Sequence, residues 1–252
     1  MTFSASFYSF LYDGSQDANL KGSFIDDLSK DKNSKIIEAH AGDGLLSINL
    51  ANRGFKVTAL EDDPALFAIL LEKFKNRKDL NPKLTPLPIN LLDLTPHQFW
   101  DTIIFSNSIS FLNDVTLASY ISNASTLLKK GGVLVLNSPQ PSRLREEQPV
   151  AEIYKKVFGL NVIRHLASSN FYDQKSMQIR YFYEIFHANQ LMTSFSSEHI
   201  IHLRPAQELI SQLENKGFLI EKIFSGWANE KLESDSPNYV LVAVKNSEDS
   251  SK

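Results

Sequence analysis

Short apolar runs alternate with longer stretches in which apolar residues return every three or four positions, and this alternation fills the chain from Lys35 to Pro139. Lys35-Ile36-Ile37-Glu38-Ala39 predicts a strand that stops at a turn-prone segment, His40-Ala41-Gly42-Asp43-Gly44. Leu45, Leu46, Ile48, Leu50 and Ala51 then recur at helical spacing, and Gly54 is placed to end that helix. Phe55 to Leu60 predicts a second strand, and Asp63-Pro64 opens another helix. A third strand is expected over Leu84 to Leu92 and a fourth over Thr102 to Phe105. A helix from Asn113 to Lys130, ended by Gly131-Gly132, then leads to a fifth strand over Val133 to Asn137. The strands are apolar runs rather than alternating ones, as expected when helices cover both faces of a sheet. Strand–helix repeats of this kind predict a doubly wound, mostly parallel α/β sheet.

After Pro139 the pattern changes. Pro139-Gln140-Pro141-Ser142 reads as a loop, and Glu146 to Phe158 as a helix. Met177 to His187 and Leu191 to Arg204 are β-rich segments around Asn189-Gln190, which predicts an antiparallel hairpin. Helical spacing resumes from Ala206 to Asn215 before Gly217, and two last strands follow, Phe218 to Phe224 and Tyr239 to Lys245. The expected whole is one domain over residues 1–252 with a seven-stranded sheet, an antiparallel β-rich insertion at 140–204 after the fifth strand, and a polar, disordered tail at 246–252.

Composition narrows the function. At roughly 150 residues per domain, 252 residues allow one or two domains. Lys plus Arg number 26 against 29 for Asp plus Glu, a net charge of −3. That balance argues against nucleic acid as a partner, because such domains are usually strongly basic. Cysteine is absent, which excludes a disulfide framework, a thiolate zinc site and a Cys nucleophile, and suits a reducing compartment. No stretch approaches the ~20 apolar residues of a membrane span, and Met1 to Leu11 has no basic leader region. A soluble cytoplasmic protein without a membrane partner is expected. The six histidines show no ligand spacing: His199 and His202 are three apart in an expected strand and so face opposite sides. No metal site is expected, and no Gly-x-Ser-x-Gly elbow is present.

The candidate chemistry lies at the end of the first strand. Glycines in a strand–loop–helix unit let the backbone pass close to a ligand where a side chain would collide. An acidic residue at the tip of the next strand can then accept hydrogen bonds from ribose hydroxyls. Here the loop glycines are Gly42 and Gly44, and the acid is Glu61, 61 − 40 = 21 residues beyond His40. Asp62 lies beside it, and Asp63 before Pro64 is the expected helix cap. The loop does not match the pyrophosphate pattern Gly-x-Gly-x-x-Gly. Glu38 would repel a pyrophosphate but could pair with an ammonium group. A cationic amino-acid nucleoside is therefore favoured over a nicotinamide dinucleotide.

Glu38-Ala39-His40-Ala41-Gly42-Asp43-Gly44 resembles the acidic-x-Gly-x-Gly-x-Gly motif of the class I S-adenosylmethionine-dependent methyltransferases, with Glu61 as the acid after the second strand. Leu92-Asp93-Leu94 is similar to that family's adenine-contacting segment, and the resemblance implies that Asp93 accepts from the exocyclic amine. Asp101 to Asn107 resembles the fourth strand, whose end lies under the methionine portion. Leu127 to Leu134 resembles the turn from helix to fifth strand, and Ser236 to Lys245 the final strand of the small-molecule branch. Phe7 to Asp13 is similar to that branch's aromatic segment, which implies that Tyr12 sits on a helix closing over the cofactor. The resemblance implies a Rossmann-like methyltransferase fold and S-adenosylmethionine bound by Tyr12, Glu38, His40, Gly42, Gly44, Glu61, Asp62, Asp93, Leu94 and Asn107. His40 departs from the motif, standing at its first glycine. A positive φ is uncommon for a residue with a side chain, so either this position has ordinary φ or the pocket is remodelled.

Methyl transfer from a sulfonium needs donor and acceptor held in line and water excluded, with a base only where the acceptor must lose a proton. The expected activity is O- or N-methylation of a small-molecule acceptor. Acceptor selection should lie in the insertion, with Tyr172, Arg180, Tyr183 and Arg204 as substrate-binding residues and His199 as the base. The second reading, motivated by His40, is a non-catalytic binding or assembly module on the same fold. A homodimer is compatible with either.

Overall fold

The computed structural model describes residues 14–29, 31–95, 98–141, 151–157, 160–173, 175–234 and 236–246. Strands β1 (Lys35–Ala39), β2 (Lys56–Leu60), β3 (Leu84–Leu87), β4 (Trp100–Phe105), β5 (Leu128–Pro139), β10 (Phe218–Phe224) and β11 (Asn238–Lys245) form one seven-stranded sheet. Its order is β10-β11-β5-β4-β1-β2-β3. β11 runs antiparallel to both of its neighbours, and β1 to β5 pair in parallel. The second sheet, β6 (Ala151–Val157), β7 (Leu160–Asp173), β8 (Ser176–His187) and β9 (Gln190–His202), is antiparallel throughout and lies within the 140–204 segment.

Successive strand residues point to opposite faces, and the apolar runs sort themselves accordingly. Ile36, Val57, Ala59, Ile104, Val135, Val240 and Val242 face one core, where α1 (Ser15–Leu28), α2 (Leu45–Asn52) and α3 (Pro64–Lys75) pack. Ile37, Leu60, Ile103, Phe105, Leu134, Leu136 and Leu241 face the other, against α4 (Asp114–Leu127) and α5 (Ala206–Glu214). Both faces are thus covered, which is why these strands carry no polar alternation. Asp63 caps α3 as expected, accepting from the backbone of Ala65 and Leu66 at 2.8 and 3.1 Å. Gly54, with φ +107, follows α2.

Four expectations change. α1 was not predicted; Gly22 lets it approach α2, since a Cβ there would stand 1.9 Å from Asn49 Oδ1. β3 ends at Leu87 rather than Leu92, because Pro88 has no N–H and Asn90 opens a short 3₁₀ turn, Leu91–Asp93, by accepting from Leu92 and Asp93. α4 stops at Leu127 and β5 begins at Leu128, so Gly131, with φ +71, lies inside the strand instead of ending the helix. The expected helix at 146–158 is a strand over Ala151–Val157, paired with β7; the remainder lies outside the described residues. The predicted hairpin is present: β8 and β9 join through Ala188 and Asn189, both with positive φ, the twist that two-residue hairpin turns favour.

Candidate cofactor site at the strand ends

β1 has β2 on one side and β4 on the other, so the direction of winding reverses between β1 and β4. In open α/β sheets the crevice at the carboxyl ends of such a pair is where ligands bind. His40 to Gly44 follow β1, Glu61 to Asp63 follow β2, and Asn107 follows β4, so the topology brings these residues to one edge.

Glu61 is buried, and its carboxylate ties the two loops together. Gly42 N–H donates to Oε2 at 2.7 Å and Asp63 N–H to Oε1 at 2.9 Å. Burial raises its pKa, and the two backbone donors partly offset that rise. The two glycines have different work. A Cβ on Gly42, at φ +59, would meet no atom within 4 Å, so this loop borders open space. A Cβ on Gly44 would stand 2.1 Å from Leu70 Cδ1, so that glycine serves the packing of α3.

Glu38 lies beneath the loop at 3% exposure and accepts from the Ser47 hydroxyl of α2. Burial pushes its carboxyl up to about 8, against the opposing influence of Ser47 and Lys21. Lys21 on α1 is itself buried and pairs with Asp17 at 2.5 Å. At the end of β4, Asn107 adopts φ +56; its backbone N–H donates to Asn137 Oδ1 of β5 at 2.7 Å, and its Oδ1 accepts from Asn137 Nδ2 at 2.6 Å. Asp93 is exposed beyond β3, and Leu94 packs on the α4-side core.

His40 does not have ordinary φ: it sits at +55, in the left-handed region. Its ring stacks on Tyr120 of α4, with centroids 5.1 Å apart and planes at 25°. Tyr120 was not anticipated from the sequence. It belongs to an apolar helical stripe with Leu117, Ile121 and Ala124, and nothing local links it to a loop eighty residues earlier. Ser47 and Asn137 were missed for the same reason. Tyr12 lies outside the described residues.

In the insertion, the expected substrate residues are placed as follows. Arg204 is 1% exposed; its Nε donates to Asp114 at 2.9 Å, and its remaining nitrogens to the carbonyls of Ile109 and Leu112. It anchors the 3₁₀ turn Ile109–Phe111 to the end of β9 rather than facing a substrate. Replacing Arg204 with Met should lower stability by about 2 kcal/mol, because those acceptors lose their donors while Asp114 stays half exposed. Urea denaturation checks this, and a change under 0.5 kcal/mol would refute it. Tyr183 is buried and stacks on Phe195 at 4.8 Å. Arg180 is engaged by Glu198 across the β8–β9 pair at 2.6 Å. Tyr172 is a residue of β7. His199 approaches Phe111 at 6.0 Å and Tyr181 at 6.1 Å, which brings β9 against the turn that follows β4. Among the described residues no His, Asp and Glu cluster could hold a metal ion, and no helix is long and apolar enough to cross a membrane.

The sequence profile of a family described as a methyltransferase domain matches residues 14–223. The chain belongs to that family. No curated protein matches it by sequence. An S-adenosylmethionine-dependent methyltransferase from Clostridium acetobutylicum superposes with a TM-score of 0.78 at 16% identity, covering 95% of this chain and 98% of that one. The CcbJ methyltransferase of Streptomyces caelestis gives 0.78 at 15%, covering 96% of each chain. CalS10, an amino pentose methyltransferase from Micromonospora echinaspora solved with S-adenosylmethionine, gives 0.75 at 17%, covering 98% of this chain and 97% of that one. At these identities the likeness concerns the fold: a mostly parallel seven-stranded sheet with a separate antiparallel sheet.

Proposed function

We propose that this protein transfers the methyl group of S-adenosylmethionine to an oxygen or nitrogen of a small molecule. The observation that carries the reading is the set of carboxylates at one edge, Glu38 under a loop that borders open space and Glu61 bound to that loop's backbone. The donor set suits the cofactor: Glu38 meets its ammonium, Glu61 and Asp62 its ribose, and Asp93 its adenine amine. Leu94 and Asn107 complete the set. S-adenosylmethionine supplies an activated methyl on a sulfonium, and the residues of this chain hold it in line and keep water out.

The acceptor is bound by the insertion. His199, beside Phe111 and Tyr181, takes the proton where the acceptor must lose one. The amino pentose methyltransferase CalS10 and the sugar N-methyltransferase KedS8 share the fold, which supports an acceptor of that size. A net charge of −3 supports a small molecule over nucleic acid, and a cysteine-free chain suits the cytoplasm. Isothermal titration should give a Kd on the order of 10 μM for S-adenosylmethionine and for S-adenosylhomocysteine. Failure of both to bind at about 1 mM would overturn the assignment.

A further inference from the structure

His40 raises a problem that the rest of the loop does not. A side-chain-bearing residue is strained in the left-handed region, where a glycine would be free. The strained conformation delivers the ring against Tyr120, which also packs edge-on to Phe105 at 5.9 Å and 67°. Three aromatic groups, from the loop after β1, the end of β4 and α4, thus form one wall at the carboxyl edge of the sheet.

The polar atoms of the imidazole are unequally served. Nδ1 lies 4.0 Å from Asp62 Oδ1, whereas Nε2 is buried with no hydrogen-bond partner. Buried polar atoms are nearly always satisfied, so an orphan at a ligand-binding edge is a place for a ligand atom. Burial lowers the pKa of His40, Asp62 opposes this, and the ring is neutral near pH 7. A neutral imidazole has one N–H and one bare nitrogen. Nδ1 is the nitrogen nearer the Asp62 carboxylate, though beyond hydrogen-bond distance, so the field favours the N–H there and leaves Nε2 as an acceptor without a donor. Burial, and after it the nearby negative charges of Asp62, Asp93 and Glu61, push the Tyr120 hydroxyl up to about 12. It therefore stands beside the ends of both β2 and β3, where the nucleoside would lie.

We propose that His40 binds the nucleoside of S-adenosylmethionine by accepting a hydroxyl or amino hydrogen at Nε2, and that Tyr120 is the positioning residue that holds the imidazole by stacking. The substitution at the first motif glycine is then an adapted cofactor contact, not a defect. This rests on the cofactor reading above.

The test is titration of S-adenosylmethionine and S-adenosylhomocysteine into wild type, His40→Gly, Tyr120→Leu, Tyr120→Phe and the His40→Gly/Tyr120→Leu double variant. His40→Gly and Tyr120→Leu should each weaken both ligands about tenfold. Tyr120→Phe keeps the ring and should return affinity to within about threefold of wild type. The double variant should be no weaker than the weaker single one, because the two residues act as one unit. Unchanged or tighter binding by His40→Gly would overturn the proposal, and so would losses that multiply in the double variant. If Tyr120→Leu does not fold, His40→Gly and Tyr120→Phe still decide. Wild type that binds neither ligand would overturn the cofactor reading and this proposal together, whereas normal binding that ignores both substitutions overturns this proposal alone.

Discussion

Glu61→Ala should weaken S-adenosylmethionine binding about 100- to 1000-fold, while the central sheet stays folded. The carboxylate does two jobs at once. It accepts from Gly42 N–H and Asp63 N–H, fixing the loop after β1 against the loop after β2, and it retains lone pairs for ribose hydroxyls. Hydrogen bonds to a charged group contribute at least about 1.5–2 kcal/mol each, so losing two from the bound state, about 3–4 kcal/mol, gives the stated range. Alanine also leaves two backbone donors without their acceptor and frees the loop that forms the cradle. Glu61→Gln keeps one carbonyl oxygen but presents an amide N–H toward those donors, so it should fall between wild type and Glu61→Ala. Titration calorimetry measures the affinities, and circular dichroism monitors the fold. An alanine variant that binds within about threefold of wild type would place the ribose elsewhere.

The central sheet was legible because its signal is local and repeated. Each parallel strand is a short run in which neighbouring residues, such as Ile36 and Ile37 or Ile103 and Ile104, are both apolar since both faces are covered. The turn residues then punctuate the runs. The insertion was half legible. The β8–β9 hairpin shows β-branched and aromatic residues around a tight turn, whereas Ala151 to Val157 mixes lysines with Ile153, Tyr154 and Val157 and satisfies either period over so short a length. Pairing with β7 decides it as a strand, and that partner lies beyond local reach. Gly131-Gly132 failed as a helix stop for a similar reason: Leu128 is already paired with Trp100, and the ladder shifts register before Val133 pairs with Thr102.

At the site, the residues that follow strands were readable, because chain order alone carries Glu38, Gly42, Glu61 and Asn107 to the same edge. What could not be read is who touches them. Arg204 looked like an anion binder in sequence, yet its guanidinium is spent on Asp114 and two carbonyls some ninety residues away. Tyr120 looked like core and also supports His40. Charge and hydrogen-bonding type are written in the sequence, but the partner that consumes them is set by tertiary packing.

Glu38→Gln should separate stability from cofactor binding, in opposite directions. The Glu38 carboxyl titrates near 8 in the folded chain, against 4.5 for the ordinary group, because burial disfavours the charged form. Below 4.5 both the folded and unfolded chains hold the proton, and no penalty exists. Between 4.5 and 8 the unfolded chain releases it while the folded chain keeps it, so stability falls as pH rises and the loss is complete above 8. The difference is 8 − 4.5 = 3.5 units, on the order of 5 kcal/mol at about 1.4 kcal/mol per unit. Glutamine can still accept from the Ser47 hydroxyl and has no charge to bury. The variant should therefore match wild type near pH 4 and exceed it by a few kcal/mol near pH 8.5, as read by urea denaturation. Binding should move the other way. In the free protein at pH 7 Glu38 is mostly protonated, and pairing with the ammonium of S-adenosylmethionine requires the carboxylate. Affinity should therefore rise from pH 6 toward about 7.5, by at most about tenfold per unit, and fall above about 8 as the ligand's own α-amino group loses its proton. Proton release on binding should appear as a dependence of the calorimetric heat on buffer ionisation enthalpy. Glu38→Gln should lose the rise between pH 6 and about 7.5 and about 100-fold in affinity. A variant less stable than wild type at pH 8.5, or one that binds with the wild-type pH profile, would show that Glu38 is a packed strand-end acid and that the ammonium is held by another group.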